Sequence, residues 1–124
     1  MKVFVLEDDP ERIKWLQRRL HQYDVTYASS ATEVDRFIGP YDLVLLDHDL
    51  GGRQLEEHED NGEAFAEKVK CRIGDATVVV HSLNPDGARR IASIIGARAY
   101  LAPFMSPRFT AFIRAMEEIH EQAA

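Results

Sequence analysis

Two groups of acidic residues each follow a short apolar run: Glu7, Asp8 and Asp9 early in the chain, and Asp47, His48 and Asp49 later. If the two runs are neighbouring strands, up to five carboxylates meet in one cleft. Like charges so close repel unless a cation neutralises them or some take up protons. Hard oxygen donors with no thiolate favour Mg²⁺, Mn²⁺ or Ca²⁺ over zinc. The expected cofactor is therefore Mg²⁺ or Mn²⁺, and the candidate ligands are Glu7, Asp8, Asp9, Asp47 and Asp49. A third apolar run ends in His81 and Ser82, with Asn84 close behind. A serine hydroxyl can donate to a phosphoryl oxygen, and an imidazole titrating near neutrality can move a proton. Asp47, Ser82, His48 and His81 are thus the candidate catalytic set.

Each of these residues also has a plainer reading. Asp9 can simply cap a helix, Glu7 can face water, and Asp47 can be the turn residue that ends a strand. Either histidine can be a hydrogen-bonded structural group, and Ser82 can satisfy a nearby backbone group. Continued strand geometry would put Asp47 and Asp49 on one face and His48 on the other, but Gly51 and Gly52 mark the strand as ending. The run Glu56 to Asp60 reads as a solvated loop, a second metal site or a lid being the minority reading. Arg53, Arg89 and Arg90 are cations that could approach an anion over the cleft, with a surface role the plainer one for the last two. Cys71 has no partner motif beside it.

The elements that must position these groups alternate as strand and helix, five times over. Strands are expected at Lys2 to Leu6, Asp24 to Ala28, Leu43 to Leu46, Val78 to Val80 and Arg98 to Leu101. Asp9 with Pro10 opens the first helix as N-cap and first helical residue, and Ile13, Leu16 and Leu20 share its face. Ser30 and Glu33 are spaced as a capping box for a short second helix ending at Gly39. The third helix runs from Asn61 to Lys70, with Ala64, Phe65 and Val69 available for burial. Asn84 and Pro85 open the fourth, which stops at Gly96, and Ser106 with Pro107 opens the last, with Phe109, Phe112, Ile113 and Met116 at helical spacing. The unbroken apolar runs Leu43 to Leu46 and Val78 to Val80 are what central strands covered on both faces require.

Strands separated by helices give a parallel sheet with right-handed crossovers. In such sheets ligands sit beyond the carboxyl ends of the strands, where the strand order reverses. Both acidic groups and the His81 group fall there. The 124 residues form one domain, 1–124, of ordinary globular composition, 45% hydrophobic and 29% charged. The net charge of −6 argues against general binding to a nucleic-acid backbone, which needs a surplus of Lys and Arg. No apolar run is long enough for a membrane span. The single cysteine excludes an intramolecular disulfide, and together with a start lacking a signal-peptide pattern it makes the cytoplasm the expected location.

The arrangement resembles the receiver domain of two-component response regulators, over nearly the whole chain. Receivers place an acidic pair after strand one, matched by Asp8 and Asp9 or by Glu7 and Asp8, and end an apolar strand three in the phosphoacceptor aspartate, matched by Asp47 in Tyr41-Asp-Leu-Val-Leu-Leu-Asp47. Ser82 takes the place of the receiver Ser or Thr that contacts the phosphoryl group. One match fails: where receivers carry Lys-Pro-Phe after strand five, this chain reads Ala102-Pro103-Phe104. Losing that cation removes a charge-assisted hydrogen bond of about 1.5 to 3 kcal/mol. Lys2, Arg98 or another cation would have to replace it. Other departures, Leu46-Asp-His-Asp-Leu-Gly51, the acidic loop leading to Asn61-Gly62, and Val80-His-Ser-Leu-Asn-Pro-Asp-Gly87, resemble the cyclic-phosphate-processing receiver-like domains.

The resemblance implies a flavodoxin-like three-layer sandwich with strand order 2-1-3-4-5. It also implies a divalent-metal and phosphoryl pocket with Asp47 as phosphoacceptor, served by a histidine kinase or a small-molecule phosphodonor. A second reading is a metal-dependent enzyme acting on a cyclic phosphate, an RNA end among the candidates, with His48 or His81 transferring the proton. A third is a degenerate receiver that serves as a protein-binding module. A weak homodimer and no membrane partner complete the expectation.

Overall fold

The computed structural model describes residues 1–50, 61–96 and 98–123, with side chains through Glu121. Arg53 and the charged run from Glu56 to Asp60 lie outside the described residues. Five parallel strands, β1 (Lys2–Leu6), β2 (Asp24–Ala28), β3 (Leu43–Leu46), β4 (Thr77–Val80) and β5 (Ala99–Leu101), pair in the order β2-β1-β3-β4-β5. Four helices cross between or follow them: α1 (Pro10–Arg19), α2 (Gly62–Val69), α3 (Pro85–Ile95) and α4 (Pro107–Ala123). Strand order reverses between β1 and β3, so the cleft at the strand ends lies where a ligand is expected.

The central strands are apolar on both faces because each face has its own core. Phe4, Leu6, Val44, Leu46, Val78 and Val80 pack with Phe65, Val69 and Ile91 on the α2/α3 side. Val3, Val5, Leu43, Leu45 and Val79 pack with Leu16, Leu20, Phe109 and Ile113 on the α1/α4 side. A bidentate ion pair from Arg19 to Glu117 fastens α1 to α4 beside that second core.

Helix starts follow the polar signals. The Asp9 carboxylate accepts from the Glu11 and Arg12 N–H groups, Asn61 accepts from Ala64, Asn84 from Gly87, and the Ser106 hydroxyl from Phe109. The expected helix between β2 and β3 is not there. Only a 3-10 turn forms, over Val34–Arg36. The Glu33 carboxylate does reach back, to the Ser29 N–H and hydroxyl, but the segment then turns inward. Phe37 and Tyr41 bury their rings against Phe4, with centroids 4.9 and 5.5 Å away, and Phe4 stacks on Phe65. Two aromatic side chains cover the sheet where a helix face was expected.

Gly62 marks how tightly α2 is set against the end of β3. Its N–H donates to the His48 carbonyl at 2.8 Å, and a Cβ there would lie 1.8 Å from the Asp47 carbonyl oxygen. Gly62→Ala is expected to lower the unfolding free energy by at least about 3 kcal/mol, because the obstacle is backbone that cannot swing aside. Gly74→Ala meets nothing within 4 Å and carries only the strain of a φ of +60°, about 1 kcal/mol. Denaturant unfolding of the two variants checks this, and equal losses would contradict it.

Candidate functional site

The register of the sheet assembles the site. Leu6 pairs with Leu46, Leu46 with Val80, and Val80 with Leu101. The ladder runs one residue further: Asp47 N–H donates to Leu6, His81 N–H to Leu46, and Ala102 N–H to Val80. Glu7, Asp47, His81 and Ala102 therefore stand in one row across four strand ends. Strand alternation turns that row to the α1/α4 face, the side of Val5, Leu45 and Val79.

Three members of the row form a buried polar cluster. Glu7, Asp47 and His81 are only 1%, 3% and 0% exposed. One donor atom from each lies within 4.8 Å of the others. The His81 Nε2–H donates to Glu7 Oε1 at 3.0 Å, while Glu7 Oε2 accepts from the Asp8 and Asp9 N–H groups, each at 3.0 Å. Asp47 Oδ1 accepts from the His48 N–H at 2.9 Å. Arg12, from the first turn of α1, brings its Nη1 to 3.4 Å from Glu7 Oε1 and 3.7 Å from Asp47 Oδ2. Its guanidinium lies over the Phe104 ring, 5.4 Å from the centroid.

The two carboxyls respond in opposite directions. Burial pushes Asp47 up to about 6; the neighbouring Glu7 charge adds to this, while His81, the His48 N–H and Arg12 pull the other way without prevailing. Burial would raise Glu7 too, but its hydrogen bond and charge interaction with His81, the Asp9 N–H and Arg12 together hold it below the ordinary value. One carboxylate is well compensated and its neighbour is not.

Above Asp47 a cleft of about 410 Å³ opens, walled by Asp8, Asp9, Arg12, Asp47, Asp49 and Leu83. The donor chemistry fits a hard divalent cation: two buried carboxylates with an imidazole at their side, open to a cleft with three more carboxylates on its wall. Glu7, Asp8 and Asp47 are the residues able to hold it, with Asp49 on the wall; Asp9 commits one carboxylate oxygen to the α1 cap.

His48 is not on this face. Its ring is 1% exposed and lies between α2 and α3, so tight against Gly87 that a Cβ there would come within 2.4 Å of Cγ. Its Nδ1–H donates to Asp49 Oδ1 at 2.7 Å, an oxygen that also accepts from Asn84 Nδ2 at 3.1 Å. Its Nε2 lies 3.5 Å from Glu63, which the Arg90 hydrogen bond holds below the usual carboxylate range. The two candidate histidines thus sit on opposite faces of the sheet, both buried. Ser82 is displaced as well. Its hydroxyl accepts from the Asn84 N–H, and it lines a separate apolar cavity of about 200 Å³ with Leu83, Ala88, Leu101 and Ala102.

None of Lys2, Arg98, Arg89 and Arg90 lines the cleft. Lys2 lies over the Tyr41 ring, and Arg98 pairs with Asp75. Arg89 pairs with Asp86 and Arg90 with Glu63. Arg12 and Glu63 are the site residues that sequence reasoning missed, and Phe104 enters it only as the aromatic of the motif after strand five. A signal for Arg12 existed: a cation in the first turn of a helix opposes the macrodipole and needs acidic partners.

Because the folded chain binds the Asp47 proton more tightly than the unfolded chain, Asp47 supports stability fully below its ordinary value of 3.8 and loses that support as pH rises through about 6. Glu7 acts in the reverse sense, supporting stability above its ordinary value and losing that support as pH falls. In metal-free protein, Asp47→Asn should be more stable than wild type at pH 7.5 by about 2 kcal/mol, with the gap closing toward pH 5. Denaturant unfolding in EDTA between these pH values measures it; a gap that does not change with pH would contradict a raised Asp47.

A sequence profile of the cyclic-phosphate processing receiver domain matches residues 1–97. No curated protein matches the chain by sequence. Among solved structures, the BeF3-activated N-terminal receiver domain of RstA from Klebsiella pneumoniae is similar at 24% identity and a TM-score of 0.66, over 94% of this chain and 97% of that one. The non-phosphorylated HemR receiver domain from Leptospira biflexa is similar at 24% identity and 0.67, over 94% and 91%. The response regulator TrrA from Thermotoga maritima, in complex with Mg(2+)-BeF, is similar at 20% identity and 0.65, over 93% and 97%. Identities this low carry the receiver fold alone, and none of the described helices is long and apolar enough to cross a membrane. With 97 of its 124 residues matched by the profile, the chain belongs to the cyclic-phosphate processing receiver domain family.

Proposed function

We propose that the chain is an atypical response-regulator receiver whose acidic cleft binds a divalent cation, Mg²⁺ or Mn²⁺, and handles a phosphoryl group at Asp47. The observation that carries this reading is the buried Glu7, Asp47 and His81 cluster opening into a carboxylate-walled cleft. The cation, when bound, supplies charge neutralisation for the carboxylates and for phosphoryl oxygens. The chain's own residues divide the remaining work. His81 fixes the Glu7 carboxylate, and the His48 N–H fixes Asp47 Oδ1, which leaves Oδ2 facing the cleft wall at Arg12. Oδ2 is then the nucleophile: it forms the bond to phosphorus as the donor's leaving oxygen departs with its electron pair. A carboxylate titrating near 6 is ionised at neutral pH yet more basic than an ordinary aspartate, which suits it to attack.

A second reading is enzymatic processing of a cyclic phosphate, and one contact favours it. Asp49 lines the cleft and accepts from His48 Nδ1 at 2.7 Å, so a proton held on the buried imidazole has a route to the cleft through that carboxylate. In this reading Asp47 holds the cation and a histidine moves protons, His48 through Asp49 being the better placed.

Intact-protein mass after incubation with Mg²⁺ and acetyl phosphate separates the two. The phosphoacceptor reading expects one added phosphoryl group on wild type, none on Asp47→Ala and none in EDTA. The enzymatic reading expects no adduct on wild type, with Mg²⁺-dependent opening of a 2′,3′-cyclic nucleotide that Asp49→Asn slows by about a hundredfold, the lower range of a proton-transfer contribution. Neither adduct nor turnover, with no Mg²⁺ bound, would leave the protein-binding module.

A further inference from the structure

The acidic cleft contains one positively charged side chain among its described lining residues, and its surroundings single it out. Arg12 is rooted in the first turn of α1, where a cation works against the helix dipole, so its place is set by what it faces and not by helix stability. It faces the Asp47 oxygen left over by the His48 N–H. Its ring partner holds the guanidinium at a fixed height: Phe104 is itself wedged between Trp15 and Phe109, with centroids 5.5 and 5.1 Å away. At 3.4 and 3.7 Å its carboxylate contacts are long, and both use Nη1. Among the described residues no hydrogen bond engages Nε or Nη2, and the side chain is 23% exposed. A planar fork of donors, stacked on an aromatic ring and open on one side, is the arrangement that grips two oxygens of a phosphate at once.

We propose that Arg12 is the anion-recognition residue of this cleft, receiving the oxygens of a phosphoryl or phosphate group next to Asp47. The assignment rests on the phosphoryl-pocket reading above and adds to it the cation that Ala102 lacks. The cavity beyond Leu83, where Ala102 stands, is mostly apolar, and its one cation among the described residues, Arg89, pairs with Asp86, whereas Arg12 faces Asp47.

Calorimetric titration with Mg²⁺, then with beryllofluoride at saturating Mg²⁺, tests this on wild type, Arg12→Met and Arg12→Lys. Wild type is expected to bind both. Arg12→Met should bind Mg²⁺ roughly two- to five-fold more tightly, because a rival cation has left the carboxylates, and beryllofluoride about ten- to a hundred-fold more weakly. Arg12→Lys should fall between, since a point charge lacks the fork. Trp15, the only tryptophan, sits edge-on to Phe104 and gives an independent fluorescence signal for the same titrations. Wild-type affinity for beryllofluoride in Arg12→Met would overturn the assignment and leave the phosphoryl pocket standing. Loss of both ligands together in that variant would mark Arg12 as a structural strut and equally overturn it. A wild type that takes up neither Mg²⁺ nor beryllofluoride would overturn the pocket and Arg12's role with it.

Discussion

Two carboxylates, Glu7 and Asp47, are buried side by side because the parallel register of β1 and β3 leaves them nowhere else to go. A one-residue shift would turn every core side chain of the strand to the wrong face, so the cores on both sides of the sheet enforce the crowding. An isolated buried charge costs several kcal/mol, and two of one sign cost more. The compensation is uneven. Glu7 has a hydrogen-bonded imidazole, two backbone N–H groups and a guanidinium, whereas Asp47 has one backbone N–H, the charge of His81 without a hydrogen bond from it, and a more distant share of that guanidinium. The electrostatic deficit is concentrated on Asp47, the carboxylate nearest the cleft. Concentrating strain at one group while its neighbour is satisfied is a physical signature of a site prepared for a ligand.

The opposite face of the same strand end is built for rigidity. Gly62 lets the first turn of α2 press on the Asp47 carbonyl, and Gly87 lets α3 close over the His48 ring. His48 in turn holds Asp49, and Asn84, the cap of α3, holds the same oxygen. One polar chain therefore runs from the start of α3 through His48 and Asp49 to the cleft wall. The glycines that the sequence shows beside Asn61 and Asp86 are there because no larger residue could bring two helix starts this close to β3.

Much of this is legible in the sequence. Strands with unbroken apolar runs, Asp-Pro and Asn-Pro helix starts and acidic strand ends specify the sheet, its order and the address of the site. Ser30 and Glu33 suggested a helix that does not form, because periodicity and capping say nothing of two aromatic rings, Phe37 and Tyr41, that gain more by burial on Phe4. Side-chain direction beyond the last ladder pair was equally out of reach. His48 and His81 read as one catalytic pool, and only the continued register sends them to opposite faces. The spacing of the strand ends carries no signal for Arg12, whose partners lie across the cap of α1.

Placing the positive charge on α1 changes what the cleft is coupled to. A cation at the Ala102 position would project from the end of β5, in the row of Glu7, Asp47 and His81. Arg12 lies instead on Phe104, whose ring also meets Trp15, Phe109 and His81, with the His81 centroid 6.1 Å away. His81 is the residue that holds Glu7, so Arg12 and His81 approach the two carboxylates from the same aromatic layer. The layer is bounded on its far side by the Arg19 and Glu117 pair, which resists separation of the two helices. The cleft's only described cation is thus anchored on the aromatic layer that joins α1 to α4.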